Sequence, residues 1–308
     1  MKPIEIIQGD ALECLAKLPD ESVQCCVTSP PYWGLRDYLA DGQIGLEKTP
    51  SEYLDKLTAV FSEVRRVLKT DGVCFVNMGD SYCGDRGGSQ GKNGQMASRS
   101  VVQARTGKRG VKLDFGGLKP KNLCGMPWRL AFALQDEGWN LRQDIIWNKP
   151  NPMPESVTDR CTKAHEYVFL LSKSTDYFWE ANAMREPGVW PAGTRGAKGS
   201  DSRKAINGVN ARPPEYKIYD GFRNKRSVWT IPTRPFPGAH FATFPEELAK
   251  LCIMAGSRHG DTILDTFAGS GTTGKVAIEL GRNAILIELN PEYVEMIKAR
   301  TNVTMGMI

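Results

Sequence analysis

Residues 261–289 read DTILDTFAGSGTTGKVAIELGRNAILIEL. An apolar run, 261–267, enters a glycine-rich turn. The turn opens a helical stretch over 272–281, and a second apolar run follows at 283–289. Strand, turn, helix and strand in that order form the unit from which open α/β sheets are built. Working outward, the same alternation recurs. Residues 4–8, 23–29, 72–78, 140–149 and 165–173 have strand character. Residues 11–18, 51–69, 126–138, 245–256 and 291–301 have helical spacing. The near-continuous apolar run VQCCVTS (23–29) suits a buried parallel strand. The pattern predicts an α/β protein with a parallel sheet and helices on both faces.

Three ligands compete for the turn at 265–274. Gly269 to Lys275 fits the G-x-x-x-x-G-K part of a nucleoside triphosphate loop, but Val276 stands where Ser or Thr must hold magnesium. Gly269, Gly271 and Gly274 fit the dinucleotide pattern, with Glu288 placed for ribose hydroxyls. Asp265 opposes that reading, because a fixed carboxylate at the strand end repels pyrophosphate. A ligand with an ammonium and a sulfonium and no phosphate suits it better. S-adenosylmethionine is such a ligand, with Asp265 facing its amino end and Glu288 its ribose. The plain alternative is a helix cap and a surface acid.

The segment Thr28-Ser29-Pro30-Pro31-Tyr32-Trp33 follows directly on a buried strand. Two prolines remove two N–H donors and stiffen the loop. The Pro30 carbonyl and the Ser29 hydroxyl offer two acceptors to an N–H₂ group, and Tyr32 and Trp33 offer flat faces. Such a site suits a base extruded from a duplex. A proline-terminated turn with core aromatics is the plain alternative.

Charge is uneven. Residues 84–125 hold nine Lys/Arg against two Asp/Glu, and 185–226 hold ten against four, while the whole chain is only +5. The first is Gly-rich and the second Gly- and Pro-rich, and both read as long irregular loops on an acidic body, which suits a polyanion. Double-stranded DNA is the expected partner, with Arg105, Lys108 and Arg109 in one loop and Arg195, Lys198, Arg203 and Lys204 in the other as phosphate contacts. Two solvated loops are the plain reading. The eight cysteines form no C-x-x-C pair and do not cluster with the three histidines, so no metal site is expected. No stretch approaches ~20 apolar residues and no secretory leader is seen, so a reduced, cytoplasmic protein with no membrane span is expected.

Together, Asp265-Thr266-Phe267-Ala268-Gly269-Ser270-Gly271 and Ser29-Pro30-Pro31-Tyr32 resemble the motifs of DNA amino-methyltransferases. The catalytic motif precedes the cofactor motif, as in the β-class. The resemblance implies a circularly permuted, Rossmann-like S-adenosylmethionine-dependent methyltransferase fold with inserted DNA-recognition loops. Its implied parts are a catalytic half (1–173), a target recognition region (174–239) and a cofactor half (240–308). The insertion 84–125 has no counterpart role. Asp10 is similar to the family's adenine-binding acid, and the block from His240 to Pro245, with Phe244, to the motif that closes over the methionine part. Trp147 to Glu166 resembles the remaining blocks. The cofactor residues implied are Asp265, Phe267, Gly269, Ser270, Gly271, Glu288, Asn290, Asp10, Phe244 and Pro245. Trp190, Trp229 and Phe236 are expected to pack within a small recognition subdomain.

Ser29 at the first motif position is typical of cytosine-N4 enzymes, whereas Asp or Asn is typical of adenine-N6 enzymes. Cytosine N4 is therefore the expected target, with adenine N6, or a non-catalytic DNA-binding descendant, as alternatives. A cognate restriction endonuclease and a monomeric or homodimeric state fit such an enzyme.

Overall fold

The computed structural model describes residues 3–35, 37–38, 40–83, 113–197, 216–234 and 244–305. The main unit begins with β1 (Ile4–Gln8), α1 (Ala11–Leu15), β2 (Val23–Thr28), α2 (Pro50–Val67) and β3 (Leu68–Met78). It continues through α3 (Met126–Asp136), β4 (Asn140–Asn148) and β5 (His165–Ser172). Four short strands of a separate unit follow: β6 (Arg185–Pro187), β7 (Arg195–Ala197), β8 (Tyr216–Ile218) and β9 (Phe222–Asn224). The main unit resumes with β10 (Val228–Thr230), α4 (Glu246–Gly256), β11 (Thr262–Asp265), α5 (Thr272–Glu279), β12 (Asn283–Glu288) and α6 (Pro291–Met305).

One eight-stranded sheet has the order β1-β12-β11-β2-β3-β5-β4-β10. β11 pairs in parallel with both β12 and β2, so Asp265, Glu288 and Thr28 end their strands on the same edge. Ligands in open α/β sheets bind outside the carboxyl ends of strands, where neighbouring strands diverge into different loops. β1, near the start of the chain, pairs in parallel with β12, near its end, and so closes the permuted arrangement.

The sheet buries both faces. Cys26, Cys74 and Val76 belong to the core layer shared with α1, α2 and α3. Cys25, Val73 and Phe75 point the other way, where a Cβ on Gly256 of α4 would meet them at 2.6–3.1 Å. Helix α2 shows why the layer forms. Thr49 and Glu52 make a reciprocal capping box, Pro50 opens the first turn, and Tyr53, Leu57, Val60, Phe61, Val64 and Val67 are buried.

Two features depart from the sequence expectation. β5 runs antiparallel to both β3 and β4, so the sheet is mixed rather than wholly parallel. Val168–Ser172 are all buried, so this strand has the same continuous apolar run as a parallel one and its direction is not encoded in composition. β10 pairs in parallel with β4 at the sheet edge and carries Trp229, which is buried in the main unit rather than in a recognition subdomain. Three residues are too few to show a period.

The second unit, Ala181–Arg226, comprises two antiparallel pairs, β6–β9 and β7–β8, where an irregular loop was expected. Each strand has three residues. Glu186 accepts from Arg223 (2.9 Å) and Arg226 (2.8 Å), and Arg185 pairs with Asp220. Trp190 does not pack: it is 58% exposed. Phe236 lies outside the described residues.

Candidate active site

The glycine turn divides its labour. Gly271 caps α5 with φ +78°, and a Cβ there would press on Ile297 at 3.0 Å. A Cβ on Gly274 would meet Leu286 of β12 at 2.4 Å. These two glycines therefore serve helix–strand packing. Gly269, with φ +51°, is not crowded: an added Cβ would meet the Phe267 carbonyl at an ordinary 3.9 Å, and the Gly269 N–H donates to Glu288 Oε2 at 2.7 Å. Asn290 N–H donates to Glu288 Oε1 at 2.8 Å. Burial lifts the Glu288 carboxyl above its ordinary range, and the two N–H donors oppose that rise.

Asp265 is 1% exposed. Its Oδ1 accepts from Thr28 Oγ1 (2.7 Å) and Phe267 N (3.1 Å), and Oδ2 from Thr273 Oγ1 (2.6 Å). Burial raises its pKa, and the three donors hold it back. The expectation that Asp265 faces a ligand is corrected: its carboxylate is turned into the protein and clamps the end of β2 to the glycine turn and to α5. A buried carboxylate must take the nearest donors, and here these are threonines.

A cavity of about 800 Å³ opens at the carboxyl ends of the strands. Asp10, Phe267, Gly269, Ser270, Glu288, Asn290 and Phe244 border one part, and Ser29, Pro30, Pro31 and Tyr32 another. Of the residues expected there, Asp265, Gly271 and Pro245 are not among its walls; Pro245 occupies the cap position of α4. Asp10 caps α1, its Oδ1 accepting from Leu12 N (2.9 Å) and Glu13 N (3.1 Å). Two cations, Lys149 and Arg234, stand among the described walls, and both follow the strands β4 and β10, away from β1, β11 and β12. Lys275, which a triphosphate loop would aim at phosphate, pairs with Glu246 at 2.7 Å. A cavity whose far end carries two acids and no cation does not suit a phosphate ligand. It suits a cationic ligand.

The Ser-Pro-Pro-Tyr loop is braced from behind. Tyr53 Oη donates to the Pro31 carbonyl at 2.8 Å, and Trp33 Nε1 to the Glu47 carbonyl at 2.9 Å. Among the described residues no group donates to the Pro30 carbonyl. The Ser29 hydroxyl borders the same cavity beside Tyr32, and its lone pairs are left to accept. Tyr32 Oη donates in turn to Glu166 Oε2 at 2.8 Å, and burial pushes this phenol well above its ordinary pKa, with the nearby Glu166 charge adding to the effect.

Glu166 also accepts from Asn77 Nδ2 (3.1 Å) and pairs with Lys149, whose ammonium lies 4.3 Å from the centre of the Trp147 ring. All four residues border the cavity. Reading the sequence assigned them no individual roles. The available signal was a charge closing each of two apolar strands, Lys149 after IIWN and Glu166 before YVFLL. No cysteine borders the cavity. Arg105, Lys108, Arg109, Lys198, Arg203 and Lys204 lie outside the described residues, and of Arg195 only the backbone in β7 is described.

Comparison with known proteins agrees with this geometry. The family model described as DNA methylase, of the N6/N4 type, matches residues 23–299. Type II methyltransferase M.Cfr9I of Citrobacter freundii is 47% identical over 94% of this chain and 85% of its own length. Type II methyltransferase M.SmaI of Serratia marcescens is 44% identical over 97% and 91%. Among solved structures, the PvuII DNA methyltransferase (cytosine-N4-specific) shares the fold with a TM-score of 0.64 at 21% identity, covering 96% of this chain and 86% of that one. TTHA0409 of Thermus thermophilus, complexed with S-adenosyl-L-methionine, does so at 0.60 and 24%, covering 97% and 93%. A family match across most of the chain, on a fold that gathers the Ser29–Tyr32 and Phe267–Glu288 walls into one cavity, places this chain in the N6/N4 DNA methyltransferase family.

Proposed function

We propose that this chain methylates the exocyclic N4 of cytosine in double-stranded DNA, using S-adenosylmethionine. The observation that carries the reading is the pair of acceptors at Ser29 and the Pro30 carbonyl, unspent on the protein, in the cavity that also holds Asp10 and Glu288. S-adenosylmethionine supplies an electrophilic methyl group on a sulfonium. Asp10, Glu288, Asn290, Phe267, Gly269, Ser270 and Phe244 would hold it, with the Glu288 carboxylate accepting from ribose hydroxyls. Asp265 acts indirectly, keeping Thr28, and thus Ser29, in register with the glycine turn.

An exocyclic amine is a weak nucleophile because its lone pair is delocalised into the ring. Ser29 Oγ and the Pro30 carbonyl accept its two hydrogens, draw the nitrogen toward pyramidal geometry and free the lone pair. Tyr32, its hydroxyl fixed by Glu166, offers its ring face to the base. Catalysis comes from positioning and from acceptors set in place before the reaction. The absence of any cysteine from the described walls accords with direct transfer to nitrogen rather than attack on a ring carbon.

Cytosine over adenine rests on Ser29. DNA as a duplex partner rests on the basic segments 84–125 and 185–226, which we assign to phosphate contact through Arg105, Lys108, Arg109, Arg195, Lys198, Arg203 and Lys204. The relatives' Type II names favour pairing with a restriction endonuclease. Methylating plasmid DNA with the purified protein and mapping the marks by single-molecule sequencing tests base and site together. Marks on cytosine at one recurrent sequence are expected; marks on adenine would overturn the base assignment.

A further inference from the structure

Lys149 is a charged residue in a wall that otherwise serves to receive a flat ring. Its side chain is 18% exposed and that of Glu166 17%, so neither charge is simply solvated. Glu166 already holds three donors. Its Oε2 takes Tyr32 Oη and Asn77 Nδ2, and its Oε1 takes the Lys149 ammonium. The ammonium has three donors. Glu166 is its one hydrogen-bond acceptor among the described residues, and the Trp147 ring lies against it. Lys149 is thus held by an acid and a ring face, bordering the cavity with donors to spare.

Resting on the cytosine-N4 reading, we propose that Lys149 is a specificity-determining residue that donates to the ring carbonyl O2 of the extruded cytosine, and that Glu166 positions it. The amine held at Ser29 and Pro30 lies on the same edge of cytosine as N3 and O2, both acceptors. Adenine offers N1 beside its amine and then a C2–H. A spare N–H of the ammonium at the third place is satisfied by cytosine and left without an acceptor against adenine, and a desolvated donor without a partner is the stronger term in discrimination. Glu166 has a second effect. Methyl transfer makes the ring electron-poor, so a bare cation at O2 would oppose reaction. The adjacent carboxylate offsets that charge. The contact therefore works in binding and base choice, and its loss falls on KM rather than kcat.

The test uses duplexes carrying the mapped site, with either cytosine or an aminopyridine C-nucleoside at the target. The analogue keeps the amine and ring nitrogen and has C–H in place of C2=O. Wild type, Lys149→Met and the double variant Lys149→Met/Glu166→Gln are compared; the double variant leaves no unpaired carboxylate. Wild type should lose roughly ten- to hundredfold in kcat/KM on the analogue. Both variants should lose as much on cytosine, through KM, with no further loss on the analogue and with unchanged S-adenosylmethionine affinity. Equal losses on the analogue in wild type and variants, or variants as efficient as wild type on cytosine, would overturn the role of Lys149 and leave the N4 reading intact. N6-methyladenine as the wild-type product would overturn both.

Discussion

Replacing Thr273 by valine keeps the volume of the side chain and removes one hydroxyl. That hydroxyl is the donor to Asp265 Oδ2 at 2.6 Å, and Asp265 is 1% exposed, so water cannot replace it. A hydrogen bond to a charged group contributes about 1.5–3 kcal/mol, and a buried, orphaned acceptor places the loss near the upper end. At roughly 2–4 °C per kcal/mol for a domain of this size, Tm should fall by about 5–10 °C. Thr28→Val leaves Oδ1 the Phe267 N–H at 3.1 Å but also takes the acceptor from Thr266 Oγ1 at 3.2 Å, so its loss should be of similar size. The sign of the pH dependence follows from burial. Asp265 has its folded pKa raised above the unfolded value, so its charge lowers stability at neutral pH. That penalty fades as pH falls through the raised folded value toward the unfolded one. Losing Thr273 raises the folded value further, so the gap between wild type and variant should narrow on acidification. Thermal unfolding followed by circular dichroism between neutral and mildly acidic pH measures all three quantities. Either variant as stable as wild type, or a gap between Thr273→Val and wild type that does not change with pH, would refute the clamp.

Four further outcomes are expected. Burial holds the Glu288 carboxyl above its ordinary pKa, so S-adenosylmethionine affinity by calorimetry should fall as pH drops through that raised value. Glu288→Gln should bind roughly tenfold or more weakly at neutral pH and show no such fall. Tyr53→Phe removes the donor to the Pro31 carbonyl and should cost about 1 kcal/mol in stability, with a lower kcat and unaltered cofactor affinity in steady-state assays. Seven of the eight cysteines are buried and Cys161 is exposed, so maleimide labelling of native protein should give a single adduct by mass spectrometry. Reversing the charges of Arg105, Lys108 and Arg109 should weaken DNA binding and flatten its salt dependence; an unchanged slope would remove that segment from the interface.

Much of the architecture was legible because it is written in short-range pattern. The strand–turn–helix–strand at 261–289, the buried run at 23–28 and the capped helix at 50–67 each carry a local signature, and each forms. The two cavity motifs were legible for the same reason. What escaped was set by long-range pairing. β5 has the burial of a parallel strand and the opposite direction, because only its partners β3 and β4 define its sense. Asp265 looked like a ligand-facing acid, since nothing in its own motif announces Thr28, 237 residues away, as its partner. Lys149 and Glu166 sit 17 residues apart on separate strands, and their pairing follows from the antiparallel register that sets Trp147 opposite Glu166.

The most direct test of the account is the chemical identity of the product. Duplex DNA methylated by the purified protein, digested to nucleosides and resolved by mass spectrometry against standards, should yield N4-methylcytosine alone. N6-methyladenine or 5-methylcytosine in its place would contradict the assignment of Ser29 and Pro30 as acceptors for a cytosine amine.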